Sequence, residues 1–316
     1  MEARIPLSER KQIVIAVNPN AGSSATGVVA QQLADILSEK GFQVGIESNI
    51  EKLVEIVKSR PQLRAVVAAG GDGTIGLLAN RLPESTPFAI LPQGTENLLA
   101  KHLEIPFEPT ESAEMIEQAI FVKMDAGRAN GTLFLVMASC GFDAEVVHQV
   151  HKARKGHITH WTYAKPIIDS IRKYKYPTLS IFCDDLKKPI KAKWSFVFNA
   201  PRYAMGLPIA DQADALDGKL DLCAFRGGNL ANGLLYLAGI LLRRHRRWKD
   251  TRIAVASRIR IESNESVPYQ IDGDPGGFLP LEIQIVPQRL SIIVPASWAE
   301  KHNLPVNNTL PESVSP

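Results

Sequence analysis

Two short turns hold the residues best suited to chemistry. The first, Gly70-Gly71-Asp72-Gly73-Thr74, follows the apolar run ending Ala68-Ala69 and precedes a helix beginning near Ile75. Its glycines let the backbone approach a ligand closely, and the helix N-terminus aligns N–H donors for an anion. Asp72 would repel a bare phosphate, so it suits a Mg²⁺ ion or a ribose hydroxyl. An aspartate in a tight turn can equally cap a helix. The second turn, Leu91-Pro92-Gln93-Gly94-Thr95-Glu96-Asn97, again joins a strand to a helix. Gly94 permits close approach, Thr95 can cap the helix or bond a phosphate, and Asn97 offers a donor and an acceptor. A third turn, Asn18-Pro19-Asn20-Ala21-Gly22, ends the first strand. Three such turns in one domain predict a phosphate-binding crevice.

The elements around them alternate. Ile13 to Val17, Phe42 to Glu47, Arg64 to Ala69 and Phe88 to Leu91 read as short strands. Between them Val29, Leu33, Ile36 and Leu37, then Ile50, Leu53, Val54 and Val57, recur at helical spacing. This rhythm predicts a parallel sheet covered on both sides, with ligands beyond the carboxyl ends of its strands. After about Asp125 the pattern changes to strands at 133–139, 178–183, 193–199, 220–225, 252–261, 269–272 and 281–286, with helices only near 144–154 and 229–244. The expected fold is therefore α/β plus all-β. An N-terminal nucleotide-binding α/β domain with a parallel sheet spans residues 1–125, and a mostly antiparallel β-sandwich spans 126–294. A polar tail, 295–316, is free to return to the first domain.

Composition narrows the class. The chain has 316 residues, 36 Lys plus Arg and 33 Asp plus Glu, a net charge of +3 that argues against a general nucleic-acid binder. Cys140, Cys183 and Cys223 lie far apart in apolar runs, which predicts reduced, buried thiols in a cytoplasmic protein. No uninterrupted apolar span reaches the roughly 18 residues of a membrane helix. His148, His151, His157 and His160 form two HxxH pairs, but no Cys or carboxylate completes a zinc site, and Lys152, Arg154 and Lys155 favour a solvated basic surface. The run Leu234 to Leu242 ends in Arg243-Arg244-His245-Arg246-Arg247-Trp248-Lys249. It reads either as a core helix with a basic last turn or as a peripheral contact with anionic lipid through 234–249.

Taken in order, Asn18 to Gly22, Gly70 to Thr74, Leu91 to Asn97, Gly141-Phe142-Asp143-Ala144, Asp214-Ala215-Leu216-Asp217-Gly218 and Asp272-Gly273-Asp274 resemble the diacylglycerol kinase catalytic-domain family. These are soluble bacterial lipid kinases related to sphingosine and ceramide kinases. The resemblance runs from about Gln12 to Pro295. It implies a kinase using ATP and Mg²⁺, with its active site between two domains. ATP would lie along Asn18, Pro19, Asn20, Ala21, Gly22, Ser48, Gly70, Gly71, Asp72, Gly73, Thr74, Ile75, Gly76 and Thr95. Gly94, Glu96 and Asn97 would face the lipid, with Asp72 and Asn97 helping to hold metal and head group. Asp274 would accept the hydroxyl proton, with Asp272 as the alternative base, where the family usually reads Asp-Gly-Glu. Without that resemblance, Asp-Gly here is an ordinary hairpin turn. Asp214, Asp217 and the backbone oxygen of Lys219 match a structural Mg²⁺ loop. The implied acceptor is a lipid at a membrane surface: diacylglycerol, ceramide, a sphingoid base or monoacylglycerol. An NAD kinase or other soluble-substrate kinase and a silent nucleotide-binding regulator are the rival readings. An exposed sandwich edge would let two chains pair as a homodimer.

Overall fold

Parallel strands buried on both faces are apolar at every position, and two strands of the first half obey this rule throughout. They are β3 (Ala65–Gly70) and β4 (Pro87–Pro92). The computed structural model describes residues 9–18, 25–60, 62–153, 174–184, 186–203 and 206–304. Pro19, Asn20, Ala21, Gly22, Arg154, Lys155, His157, His160 and the tail from 305 lie outside these residues. The chain divides into two units, Met1–Met124 with Gln288–Pro316, and Asp125–Pro287.

In the first unit β2 (Gln43–Glu47) pairs parallel to β1 (Gln12–Val17), β1 to β3, and β3 to β4. Helix α1 (Ala25–Glu39) leads from β1 to β2 on one side. Helix α2 (Ile50–Ser59) returns the chain to β3 on the other side of β1. The strand order therefore reverses between β1 and β3, the position where a doubly wound sheet leaves a crevice at its carboxyl edge. Asn49 caps α2 by accepting from Lys52 N at 2.9 Å. Helix α3 (Asp72–Arg81) follows β3, and helices α4 (Leu98–His102) and α5 (Pro109–Gln118) follow β4. Pro109 starts α5 where its missing N–H costs nothing. The buried Arg64 guanidinium donates to Ile116 O at 2.9 Å, tying the foot of β3 to the end of α5.

The second unit is a sandwich. Strand β5 (Ile120–Ala129) leads into it and pairs antiparallel with β6 (Thr132–Phe134). One antiparallel sheet runs in the order β12 (Thr251–Ala256), β11 (Leu220–Phe225), β10 (Trp194–Phe198), β7 (Met137–Cys140), β14 (Pro268–Ile271), β15 (Asp274–Phe278). The other joins β8 (Leu179–Cys183) to β9 (Ile190–Ala192) and β13 (Arg258–Glu262), and β13 to β16 (Leu281–Val294). Cys140, Val197 and Leu222 from one sheet share a core with Ile181, Ile259 and Leu281 from the other. Helices α6 (Phe142–Ala153) and α7 (Leu230–Leu241) complete this unit. From Gln288 the end of β16 belongs to the first unit, pairing parallel to β4, and helix α8 (Ala296–Lys301) buries Trp298 there.

Two sequence expectations are corrected, and one strand was not expected. The run 252–261 is two strands, because the chain crosses between the sheets at Ser257, whose N–H is held by the Asp184 carboxylate at 2.9 Å. The run 133–139 is also two strands, β6 and β7. β5 escaped notice because Lys123, Asp125 and Arg128 interrupt its apolar pattern. The three cysteines are free and buried, and burial pushes their thiols up, to about 12 for Cys140 and Cys223 and about 11 for Cys183. Among the described residues no helix is long and apolar enough to cross a membrane.

Candidate active site

The two glycine turns meet backbone to backbone. A Cβ on Gly71 would fall 3.0 Å from Gly94 Cα, and one on Gly94 would overlap Gly71 Cα, so only glycines allow this approach. A Cβ on Gly70 would overlap the Thr74 side chain. Asn97 clips the second turn closed. It sits in the left-handed region at φ 50°, its Oδ1 accepting from Gly94 N at 2.9 Å and its Nδ2 donating to Gly94 O at 2.8 Å. Asp72 acts on the same turn. Its two oxygens accept from Leu98 N and Leu99 N, both at 2.9 Å, so it caps α4. Asp72 and Asn97, expected near metal and head group, thus hold the turn's shape.

A cavity of about 260 Å³ opens beside these turns. Asn18 at the end of β1, Ser48 at the end of β2 and Thr74 in α3 all line it, with Ile50, Leu53 and Leu77 as an apolar wall. The Thr74 hydroxyl is buried and has no hydrogen-bond partner among the described residues. Ile75 packs into the core, whereas a side chain on Gly76 would meet open space. Thr95 is exposed, while Gly94 and Glu96 are half-buried. The wall residues Ile50, Leu53 and Leu77 carried no short motif; only their place after β2 and in α3 marks them.

The two aspartates of Asp272-Gly273-Asp274 part company in the second unit. Asp272, at φ 48°, accepts from Leu135 N at 2.7 Å, Val136 N at 3.0 Å and Met137 N at 2.8 Å. Three backbone donors fix this carboxylate as a clip on the start of β7. Asp274 is exposed, and its carboxylate makes no hydrogen bond or ion pair with any described residue. Asp272→Ala should leave three donors unpaired and cost about 3 kcal/mol or more. A melting curve checks this, and an unchanged Tm would refute the clip.

The loop Asp214–Lys219 closes on itself. Asp214 Oδ1 accepts from Leu216 N at 3.0 Å and Asp217 Oδ1 from Lys219 N at 2.9 Å. Buried Asp125 holds the loop from β5, accepting from Gly218 N at 2.7 Å. Asp125 belongs to the site's surroundings although no motif announced it; an acid inside an apolar strand was the available signal. Asp221 is raised above the usual carboxylate range by its own burial and by the nearby charges of Asp217 and Asp214. Of the histidines, His148 Nε2 lies 3.1 Å from Tyr269 O and His151 is exposed at the end of α6. No cluster of three or more His, Cys, Asp or Glu suited to a metal occurs among the described residues.

Comparison with known proteins places these parts in one family. Residues 12–129 match the diacylglycerol kinase catalytic domain, and residues 136–294, half of the chain, match the YegS C-terminal NAD kinase beta sandwich-like domain. The chain belongs to the diacylglycerol kinase catalytic-domain family. A diacylglycerol kinase of Bacillus subtilis is 26% identical over 244 residues, 75% of this chain and 79% of that protein. An uncharacterised protein of Synechocystis is 24% identical over 236 residues, 73% of this chain; the chain spans about half, 54%, of its length. A solved diacylglycerol kinase structure from Bacillus anthracis superposes with a TM-score of 0.65 at 18% identity, covering 92% of this chain and 98% of that one, a likeness of fold.

The acid of the Gly141-Phe142-Asp143-Ala144 motif, Asp143, lies half-buried in the first turn of α6. Ser139 and Tyr203 donate to it in short hydrogen bonds, and Gln270 Nε2 reaches it at 3.3 Å. The same Gln270 accepts from Gly273 N at 2.8 Å, so one amide links the acid to the turn that carries Asp274. Burial raises the Asp143 carboxyl above its usual range, and the three donors offset only part of that. For a group raised on folding, the stability it adds is present at low pH and is lost as pH rises through the folded value. Asp143→Asn should therefore flatten the fall in stability from the ordinary carboxylate range toward neutrality. Denaturant melts at several pH values read this directly, and an unaltered slope would contradict it.

Proposed function

We propose that this chain is an ATP- and Mg²⁺-dependent lipid kinase that transfers the γ-phosphate to the hydroxyl of a diacylglycerol-like lipid. The observation that carries the reading is the convergence of Asn18, Ser48 and Thr74 on one cavity beside the paired glycine turns of a diacylglycerol kinase-family chain. An apolar wall of Ile50, Leu53 and Leu77 suits a purine ring, and the Thr74 hydroxyl, without a partner among the described residues, suits a phosphate or ribose oxygen. The glycine backbone of Gly70 to Thr74 and the N-terminus of α3 would hold the phosphates.

In the reaction the lipid hydroxyl oxygen bonds to the γ-phosphorus as the bond to the bridging oxygen breaks and ADP leaves. Asp274 accepts the hydroxyl proton. It is suited to this because its carboxylate is exposed and bonds to no described residue, whereas the lone pairs of Asp272 serve three backbone donors. Asp72 and Asn97 act by keeping the second glycine turn against the first. Bound Mg²⁺ supplies charge that offsets the transferring phosphoryl group. At the Asp214–Lys219 loop each of Asp214 and Asp217 keeps a second carboxylate oxygen, a donor type that suits a hard cation.

An acceptor panel tests the reading. Diacylglycerol, ceramide, a sphingoid base and monoacylglycerol are each offered in mixed micelles with Mg²⁺ and ATP. Phosphorylation of diacylglycerol, and its loss on chelation, is the expected result; ADP formation with no phosphorylated lipid in any arm would overturn it.

A further inference from the structure

Helix α7 has no charged residue, and only part of it packs on its own unit. Tyr236 and Ile240 are buried, and Gly239 lies against the Trp248 ring. The opposite face is left in water, with Leu234 60%, Leu235 54%, Leu237 42%, Leu241 60% and Leu242 67% exposed. At 100° per residue these five leucines, with the exposed Ala238 among them, cover one continuous arc of about 160°. A soluble surface rarely keeps such a stripe without a use.

Cations follow directly. Arg243 and Arg246 share Asp211 at 3.6 and 3.3 Å, while the exposed side chains of Arg244, Arg247 and Lys249 have no ion pair among the described residues. Arg243, Arg246 and Arg247 also line an open cleft of about 440 Å³ with Asp211, His245 and Ile253. The buried His245 Nδ1 has no partner among the described residues.

We infer that the leucine face of α7 and the Arg243–Lys249 cluster form one docking surface for an anionic lipid bilayer. Twelve residues make a helix of about 18 Å, too short to cross the roughly 30 Å apolar layer, so α7 lies in the plane of the interface. The leucines enter the acyl boundary, the arginines and Lys249 meet phosphates at head-group level, and the cleft admits a head group. Charge decides against a second copy of this chain as the occupant, since a two-fold interface would bring two sets of these cations together. The inference rests on the lipid-kinase reading for its purpose, but vesicle binding needs no turnover, so the two fail separately.

The test is co-sedimentation of the full chain with vesicles of phosphatidylcholine, alone or with a third of phosphatidylglycerol, without ATP. Binding should be at least about ten-fold tighter to the anionic vesicles and should weaken with salt. Each removed cation should cost about five-fold, so Arg244→Glu with Arg247→Glu should abolish the preference. Leu234→Ser with Leu237→Ser and Leu241→Ser should release the chain from both vesicle types at an unchanged Tm. Wild-type binding by either variant, or no binding by the wild type, would overturn the proposal. So would a leucine variant that loses only a dimer in sedimentation equilibrium, since that face would then join two copies.

Discussion

Asp274→Asn is expected to lower phosphoryl transfer by about 10²- to 10⁴-fold while leaving ATP affinity and Tm essentially unchanged. Fold and nucleotide site do not depend on this carboxylate, because it is exposed and bonds to no described residue. Asp272 supplies the contrast two residues away. Its replacement should unfold the start of β7 before any effect on chemistry can be read, because Leu135, Val136 and Met137 all donate to it. A rate loss without a stability loss at 274, beside a stability loss at 272, separates a base from a clip. Asp274→Glu, which restores the family's usual residue, should keep activity within about ten-fold. Near-normal turnover by Asp274→Asn would remove the base assignment.

The second large effect belongs to Gly94. Alanine there places a methyl group where Gly71 Cα and the Asn97 carboxamide already sit, and neither is a flexible chain end that can turn aside. The two turns must separate, which costs about 2 kcal/mol and lowers Tm by roughly 4–8 °C. Separation also moves Asn97 and the Asp72-capped start of α4, so ATP affinity should fall by about ten-fold or more. Gly76→Ala is the control, because a methyl group there meets nothing within 4 Å. Calorimetric titration with ATP measures both; equal affinities for the two variants would mean that the backbone approach does not shape the site.

Much of the fold was legible because it rests on local patterns. The apolar runs of β1, β3 and β4 and the 3.6-residue spacing of Leu33 and Leu37 are properties of short windows. The glycine turns were legible for a similar reason, since glycines between a strand and a helix mark a close backbone approach within a short window. What escaped notice depends on contacts between distant segments. Ser257 looks like one more strand residue until Asp184, 73 positions earlier, takes its N–H. Asp72 and Asp272 read as chemistry because carboxylates beside glycines suit metals and protons, yet their partners, 26 and about 136 positions away, are backbone amides. Asp274 and Asp272 have the same residue type and flank the same Gly273, and only the folded chain tells them apart. The exposed face of α7 was undecidable from its residues, because nine apolar residues followed by arginines describe a core helix and a lipid-facing helix equally well.

The measurement that tests the central claim most directly is transfer of labelled γ-phosphate from ATP with Mg²⁺ to a total lipid extract in mixed micelles, with NAD in a parallel tube. A labelled lipid that requires Mg²⁺ and is absent with Asp274→Asn is the predicted result. Label on NAD with none on lipid, or bound ATP with no transfer in either tube, would contradict it.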